Sequence, residues 1–489
     1  MVSADRMNPK AAPGSQHISP FSNLERSRMK KSFLRLTMAT VLAGISVSTP
    51  GFADLVRNPT AVGASFDIGQ IVQGTLYDGS NVTSKFNGDK QQITRTGVYL
   101  TESGTYNDRL SIYLTVGGLF WYALPEGSSF QTHRIYFGPG VGQAQGTYNF
   151  GSDPKNPSAS LQFGLFNYKY SEAFDLGEYL YRSGTYPGLL VSGGWSYINA
   201  ASYMAQGLRF NLPLWDGKIS NDFTLFMERD LEPTNDLSPG YLLKVKPIPA
   251  LEIGGGLVWS HAISLNGARL DPKKAANEYS IATGRPSINN GSSSPADTCP
   301  CGYWTFKGFK TMGRVSLDIG QLFNSELIHP GDFKLYSEIA LLGIEDQPFF
   351  YTKKSERMPM MAGINIPTFG ILDQLSFEVE YHKSPYPNTN GSVLQSQLPI
   401  PINDGQNPFD YDLSSTAAAK QDSLSKAMKK DDVKWAIYAR RTITKSVSIT
   451  AQAANDYLRH FNFTASPSAI PATSLPSDWY YVLRLEFGI

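Results

Sequence analysis

The chain has 489 residues, 43 basic against 42 acidic side chains, 17% charged residues and 12% aromatic ones. A mean hydropathy of −0.25, with no apolar run of ~20 residues, excludes a bundle of membrane-spanning helices. The balanced charge excludes a dedicated nucleic-acid binder, and 27 Phe, 26 Tyr and 7 Trp exclude a disordered chain. What is left is a large β-structure rich in its 44 glycines.

The N-terminal segment carries an address. Met29-Lys30-Lys31 opens a positive stretch ending at Arg35, and Leu36 to Val47 follows as a short apolar core. Gly51-Phe52-Ala53 then sets small residues three and one positions before Asp54. This is the pattern of a secretory signal peptide over 29–53, too short in its apolar part to span a membrane. Residues 1–28 read as an upstream extension with no targeting logic. Cleavage after Ala53 leaves 54–489 as a single barrel-sized piece, with acidic residues in slight excess.

Strand signals fill that piece. Seven are expected near 62–76, 91–104, 109–122, 133–139, 144–151, 159–168 and 188–197, although the pair within 133–151 is Gly-rich. Eleven more follow from Tyr203 onward. In one, Ile219, Phe223, Leu225 and Met227 oppose Asp222, Thr224 and Glu228. Later, Phe333, Leu335, Ile339 and Leu341 oppose Lys334 and Glu338, and Leu375, Phe377, Val379 and Tyr381 oppose Ser376, Glu378, Glu380 and His382. Val433, Trp435, Ile437 and Ala439 oppose Lys434, Tyr438 and Arg440. The chain ends on Tyr481, Leu483, Leu485, Phe487 and Ile489 alternating with Val482, Arg484, Glu486 and Gly488. Period-two alternation makes a strand with one apolar and one polar face. Charges at every second position suit an aqueous lumen better than a packed face.

Connections alternate in length. Asn107-Asp108, Asp216-Gly217, Pro247 to Pro249 and Thr444 to Ser446 are tight, whereas 265–302, 345–356, 386–432 and 461–478 are long and polar. Short turns on one side and long loops on the other are the plan of a transmembrane antiparallel β-barrel, all-β. Eighteen strands is the first count and sixteen the next.

With its signal peptide, alternating strands, turn asymmetry and amphipathic last strand, the chain resembles the outer-membrane porins of Gram-negative bacteria over essentially 54–489. It departs at its end, where Phe487 precedes Gly488-Ile489 instead of an aromatic closing the chain. The resemblance implies an outer-membrane channel in contact with lipid; inward charges of both signs suit small hydrophilic solutes, and the flat tyrosine faces of 168–187 suit sugar rings, which adds carbohydrates to the expected solutes. It also implies the homotrimer common among porins, for which no interface is legible in one sequence. The other reading is a structural or surface-binding barrel with adhesive loops.

Ten inward charges are expected to line the pore: Arg314, Asp318, Lys334, Glu338, Glu378, Glu380, Lys434, Arg440, Arg484 and Glu486. The segment Tyr168 to Pro187 mixes tyrosines with charges and follows an amphipathic strand, as the constricting loop of porins does. Its candidates are Tyr170, Glu172, Asp175, Glu178, Tyr179 and Arg182, with Asp175 suited to capping a short helix. The strand count places this connection on the turn side, where a structured connector is an equal reading. Cys299-Pro300-Cys301 allows either a local disulfide, which would staple almost no chain, or thiols.

Catalysis has little support. His382-Lys383-Ser384, with Asn388 or Asn390, shares the His–Ser spacing of outer-membrane phospholipases but lacks their fuller motif, and Pro385 follows at once. No enzyme, cofactor or metal is expected. The Asp-rich stretch 402–412 matches no calcium-loop spacing.

Overall fold

The computed structural model describes residues 55–77, 82–87, 92–123, 136–168, 204–227, 237–260, 262–263, 308–323, 327–341, 344, 354–358, 360–382, 432–455, 471–472 and 479–488. Sixteen long strands carry the architecture. They are β1 (Ala61–Tyr77), β2 (Gln92–Tyr106), β3 (Leu110–Ala123), β4 (Tyr136–Phe150), β5 (Ala159–Asn167), β6 (Met204–Leu214), β7 (Ile219–Met227) and β8 (Leu237–Ile248). The second half comprises β9 (Leu251–Ser260), β10 (Gly308–Asp318), β11 (Lys334–Leu341), β12 (Met360–Asn365), β13 (Gln374–His382), β14 (Asp432–Thr444), β15 (Val447–Asn455) and β16 (Trp479–Gly488). Three short strands, Leu55–Arg57, Val82–Asn87 and Pro471–Ala472, add to the edges of this circuit.

Each strand pairs antiparallel with its sequence neighbours, and β16 pairs antiparallel with β1, from Trp479 opposite Gln73 to Gly488 opposite Gly63. The sheet therefore closes into a barrel with no free edge, the condition for a β-structure to sit in hydrocarbon. The strand number is sixteen, the second of the two counts. The eleven strands expected from Tyr203 onward all form. Upstream, 133–151 yields one strand, because Gly138-Pro139-Gly140 continues the ladder opposite Leu119, Gly118 and Gly117. The register slips there between Thr115 and Val116, a bulge that absorbs one residue. The expected strand at 188–197 lies outside the described residues, and β5 pairs directly with β6.

All four tight turns join strands on one rim. Asn107 and Asp108 both take left-handed conformations (φ 49° and 54°), matching the twist of the flanking strands. In the next such turn the left-handed positions fall on Trp215 and Asp216, one residue earlier than the Asp-Gly signal suggests, with Gly217 following at φ 79°. The start of β1 and the end of β16 lie on this short rim. The connection between β5 and β6 leaves from the opposite rim, since Asn167 pairs with Met204 there. This corrects the expected side of the 168–187 segment. With 133–151 forming one strand and β5 pairing straight to β6, that connection is the third of the long ones.

The two faces differ as the alternation requires. Phe377 is 38% and Leu483 46% exposed, while Glu378 is 1% exposed. Val98, Phe163, Phe223, Ile253, Val315, Ile339, Ile437 and Ile449 continue the outer apolar belt around the barrel. Aromatic rings run along its outside from Tyr148 to Phe150, Phe210, Phe223 and Tyr241, with centroids 4.9–6.5 Å apart. Near the other rim Trp259 stacks on Phe309 at 5.3 Å. An aromatic row and a stacked aromatic pair on an apolar belt suit contact with the interfaces of a bilayer.

The closing seam is locked from inside. The Arg484 guanidinium grips Asp67 with two bonds, Nε to Oδ1 at 2.6 Å and Nη2 to Oδ2 at 3.0 Å, and Arg95 Nε donates to the same carboxylate from the far side. The three stand in one row of the ladder, β16–β1–β2, and all are buried. One carboxylate thus holds two guanidiniums across the joint between the barrel's two ends.

Two outcomes follow. Arg at Phe377 or Leu483 should lower the stability of the barrel folded in vesicles by about 2–4 kcal/mol where the site lies at mid-depth, as read from urea unfolding. Arg at the inward, half-exposed Thr101 should cost far less, and equal damage would mean the faces are reversed. Asp67→Asn should cost about 3–5 kcal/mol by leaving two buried guanidiniums facing one another. Adding Arg95→Met should restore part of that loss, measured as the temperature at which the folded gel band converts to the unfolded one.

Candidate functional site

The barrel interior is the candidate site. It has a charged wall and a neutral one, each built by particular strands. On the charged wall Arg314 of β10 stands opposite Glu338 of β11 and donates to its carboxylate. Across β12, Glu380 of β13 stands opposite Lys434 of β14. One row nearer the short rim, Tyr336 lies over Gly363 and its hydroxyl donates to Glu378 Oε1 at 2.6 Å. A side chain at 363 would collide with that ring, so the glycine lets the tyrosine lie flat along the wall. Arg314 and Lys334 sit over the same ring, each 5.6 Å from its centroid, a geometry that favours a cation on the aromatic face.

The structure places all ten expected charges on inward faces, but they differ in setting. Arg440 and Glu486 are half-buried, whereas Arg314, Lys334, Glu338, Glu378, Glu380, Lys434 and Arg484 are buried. Lys434 has no exposed surface at all, and its ammonium donates to Asn455 Oδ1 at 3.0 Å. Glu486 accepts from Ser448 at 3.1 Å and lies 3.6 Å from Arg484. Asp318 is bound into its own turn, where Gln321 Nε2 (2.7 Å) and the Gly331 amide (2.9 Å) donate to its carboxylate. Its first task is to hold the 319–333 connection.

Sequence reasoning did not single out the seam residues Asp67 and Arg95. Each is the only charge in its strand's inward row near that level, and a lone charge gives no pattern. It also passed over the wall of β2 to β6, neutral on its inward face between Arg95 and Arg209. There the Thr101 and Thr115 hydroxyls share a hydrogen bond of 2.9 Å. Gln143 Nε2 donates to Gln145 Oε1 at 3.0 Å, and Gln162 Nε2 donates to the same oxygen at 2.9 Å. Gln143, Gln145, Gln162 and Arg209 are half-exposed.

The wall ends in a cluster around Asp222. Arg209 Nη2 (3.0 Å), Asn211 Nδ2 (2.7 Å) and the Tyr168 hydroxyl (2.6 Å) all donate to its carboxylate. The Arg209 guanidinium also lies over the Tyr168 ring at 4.7 Å. Tyr168 is the first residue after β5, so the long connection leaves its strand from a side chain fastened to the inner wall. The other expected constriction residues, Tyr170, Glu172, Asp175, Glu178, Tyr179 and Arg182, lie outside the described residues. So do Cys299 and Cys301, and the Ser384 expected beside His382.

No family model matches the chain, and no curated protein does. Among solved structures, engineered variants of a porin from Rhodopseudomonas blastica align with 88% of this chain and 100% of their own, at 6% identity and TM-scores of 0.39 and 0.40. A structure titled "Asymmetric conductivity of engineered proteins" aligns over the same shares at 7% identity and a TM-score of 0.39. The architecture stands on strand pairing: the chain forms a closed, sixteen-stranded antiparallel barrel.

Proposed function

We propose that the chain is an outer-membrane channel through which small hydrophilic solutes, carbohydrates among them, diffuse across the barrel interior. The observation that carries this reading is the division of faces. The outside is apolar and banded by aromatics, while the inside holds both signs of charge and a half-exposed amide wall. Charges of both signs set side by side on one wall, facing a wall of neutral amides, suit hydrated polar solutes more than an ion of one sign. In this reading 29–53 directs export and is cleaved after Ala53, and lipid surrounds the barrel. The 168–187 connection narrows the passage, which the inward anchoring of Tyr168 supports.

One observation favours the alternative, a filled barrel whose long connections bind a surface. Glu338 and Glu378 are each 1% exposed, so the charged wall is covered at that level. Conductance separates the two readings.

Residues 54–489, refolded in detergent and added to a planar bilayer, should give stepwise open currents, and no current at all would overturn the channel reading. Replacing Glu378, Glu380 and Glu486 by Gln should shift the reversal potential across a salt gradient toward anion preference. Replacing Lys434 and Arg440 by Gln should shift it toward cations. Both shifts should shrink at 1 M salt, where the Debye length is about 3 Å.

A further inference from the structure

The three glutamines of the neutral wall are oriented by a single cation. A guanidinium only donates, so Arg209 Nη1, 3.5 Å from Gln162 Oε1, sets which end of that amide faces it. Gln162 must then turn its Nε2 toward Gln145, which has to present its oxygen in return. Gln143 donates to that same oxygen. Both lone pairs of Gln145 Oε1 are thereby used. Among the described residues, nothing accepts from Gln145 Nε2 or donates to Gln143 Oε1. Flipping any one amide would set two donors or two acceptors against each other, so the polarity runs along the whole row. Arg209 cannot swing away either, because Asp222 and the Tyr168 ring hold it.

The row therefore shows the lumen a fixed pair, an amide donor at Gln145 beside an amide acceptor at Gln143, on a wall that is half-exposed. A hydroxyl both donates and accepts, and neighbouring hydroxyls on one molecule match such a pair without bringing charge. The opposite wall offers no such contact. Glu378, Glu380 and Lys434 carry stronger groups, but their surfaces are 0–3% exposed, so they act on a passing solute through their field alone.

Resting on the channel reading above, we propose that Gln143 and Gln145 form a contact site for uncharged polyhydroxylated solutes, with Arg209 as the positioning residue that polarises it. The site is shallow and offers two unpaired groups, so it should bind weakly and release quickly, as passage requires.

Sucrose is the probe. Added to one side of a bilayer holding the refolded barrel, it should lower the open-channel current of the wild type in a saturable way. Gln143→Ala/Gln145→Ala should raise the half-blocking concentration about tenfold, the loss expected for two weak hydrogen bonds. The effect on current in salt alone should be small. Gln145→Glu, which replaces the donor by an acceptor and adds one negative charge, should weaken sucrose block and shift the reversal potential toward cations. Intact currents with the same sucrose block in all variants would overturn the site and leave the channel reading standing. A wild type without open current would remove the channel reading, and the site with it. Intact currents with an unmoved reversal potential in Gln145→Glu would show that the ion path runs elsewhere, which also overturns the proposal.

Discussion

Everything in this molecule depends on β16 meeting β1. A strand edge exposed to hydrocarbon leaves a row of amide and carbonyl groups without partners, at several kcal/mol each, so an open sheet of this size has no stable place in a bilayer. Closure satisfies the backbone and at once sorts the side chains, since alternate residues must then face either lipid or lumen. The Asp67 carboxylate sits at that joint. Its two guanidiniums arrive from the last strand and the second, residues far apart in sequence, so the ion cluster forms only when the ends are in register. Shifting the joint by one residue would turn either Asp67 or Arg484 toward lipid, where a charge is costly. The cluster thereby selects the register as well as holding it.

Much of this was legible in the sequence, because lipid imposes a strict rule. Wherever a strand spans the membrane, its outward residues must be apolar, and Phe377, Ile437 and Leu483 declare their face by alternation alone. The rule weakens where glycine is abundant. Around Gly138-Pro139-Gly140 there is no side-chain pattern to read, and turn-forming residues suggested a break that strand pairing overrides. That reading, with a strand counted at 188–197 between β5 and β6, which pair directly, had a second effect. Side is assigned by counting strands, and the seventh of the upstream strands displaced the 168–187 connection to the wrong rim. Parity propagates, so a small miscount in a pattern-poor stretch moved the most aromatic connection across the membrane.

The interior was legible in one respect only. Charges announce themselves, and all ten expected ones do point inward. How far each reaches the aqueous space depends on what lies against it, which alternation does not encode. The structure divides the interior into a wall of buried charges and a wall of half-exposed amides. Gln143, Gln145 and Gln162 carry no charge and occur at unremarkable spacings. Their significance comes from hydrogen-bond polarity transmitted from Arg209, across β5, to β4, and no strand-by-strand reading contains that information.

The position of the barrel's first and last strand ends bears on how it enters a membrane. β1 begins and β16 ends on the rim of tight turns, so neither end of the barrel has to be threaded through the bilayer. If the chain enters the bilayer from the side of its tight turns, all eight long connections have to cross it. Insertion is therefore a vectorial process in which a polar fringe is drawn through lipid while the joint between the first and last strands stays on the side from which the chain arrived. The seam that finishes the barrel can zip up from that side, starting where Gly488 meets Gly63 and running upward past Asp67, with the last hydrogen bonds made at the far rim.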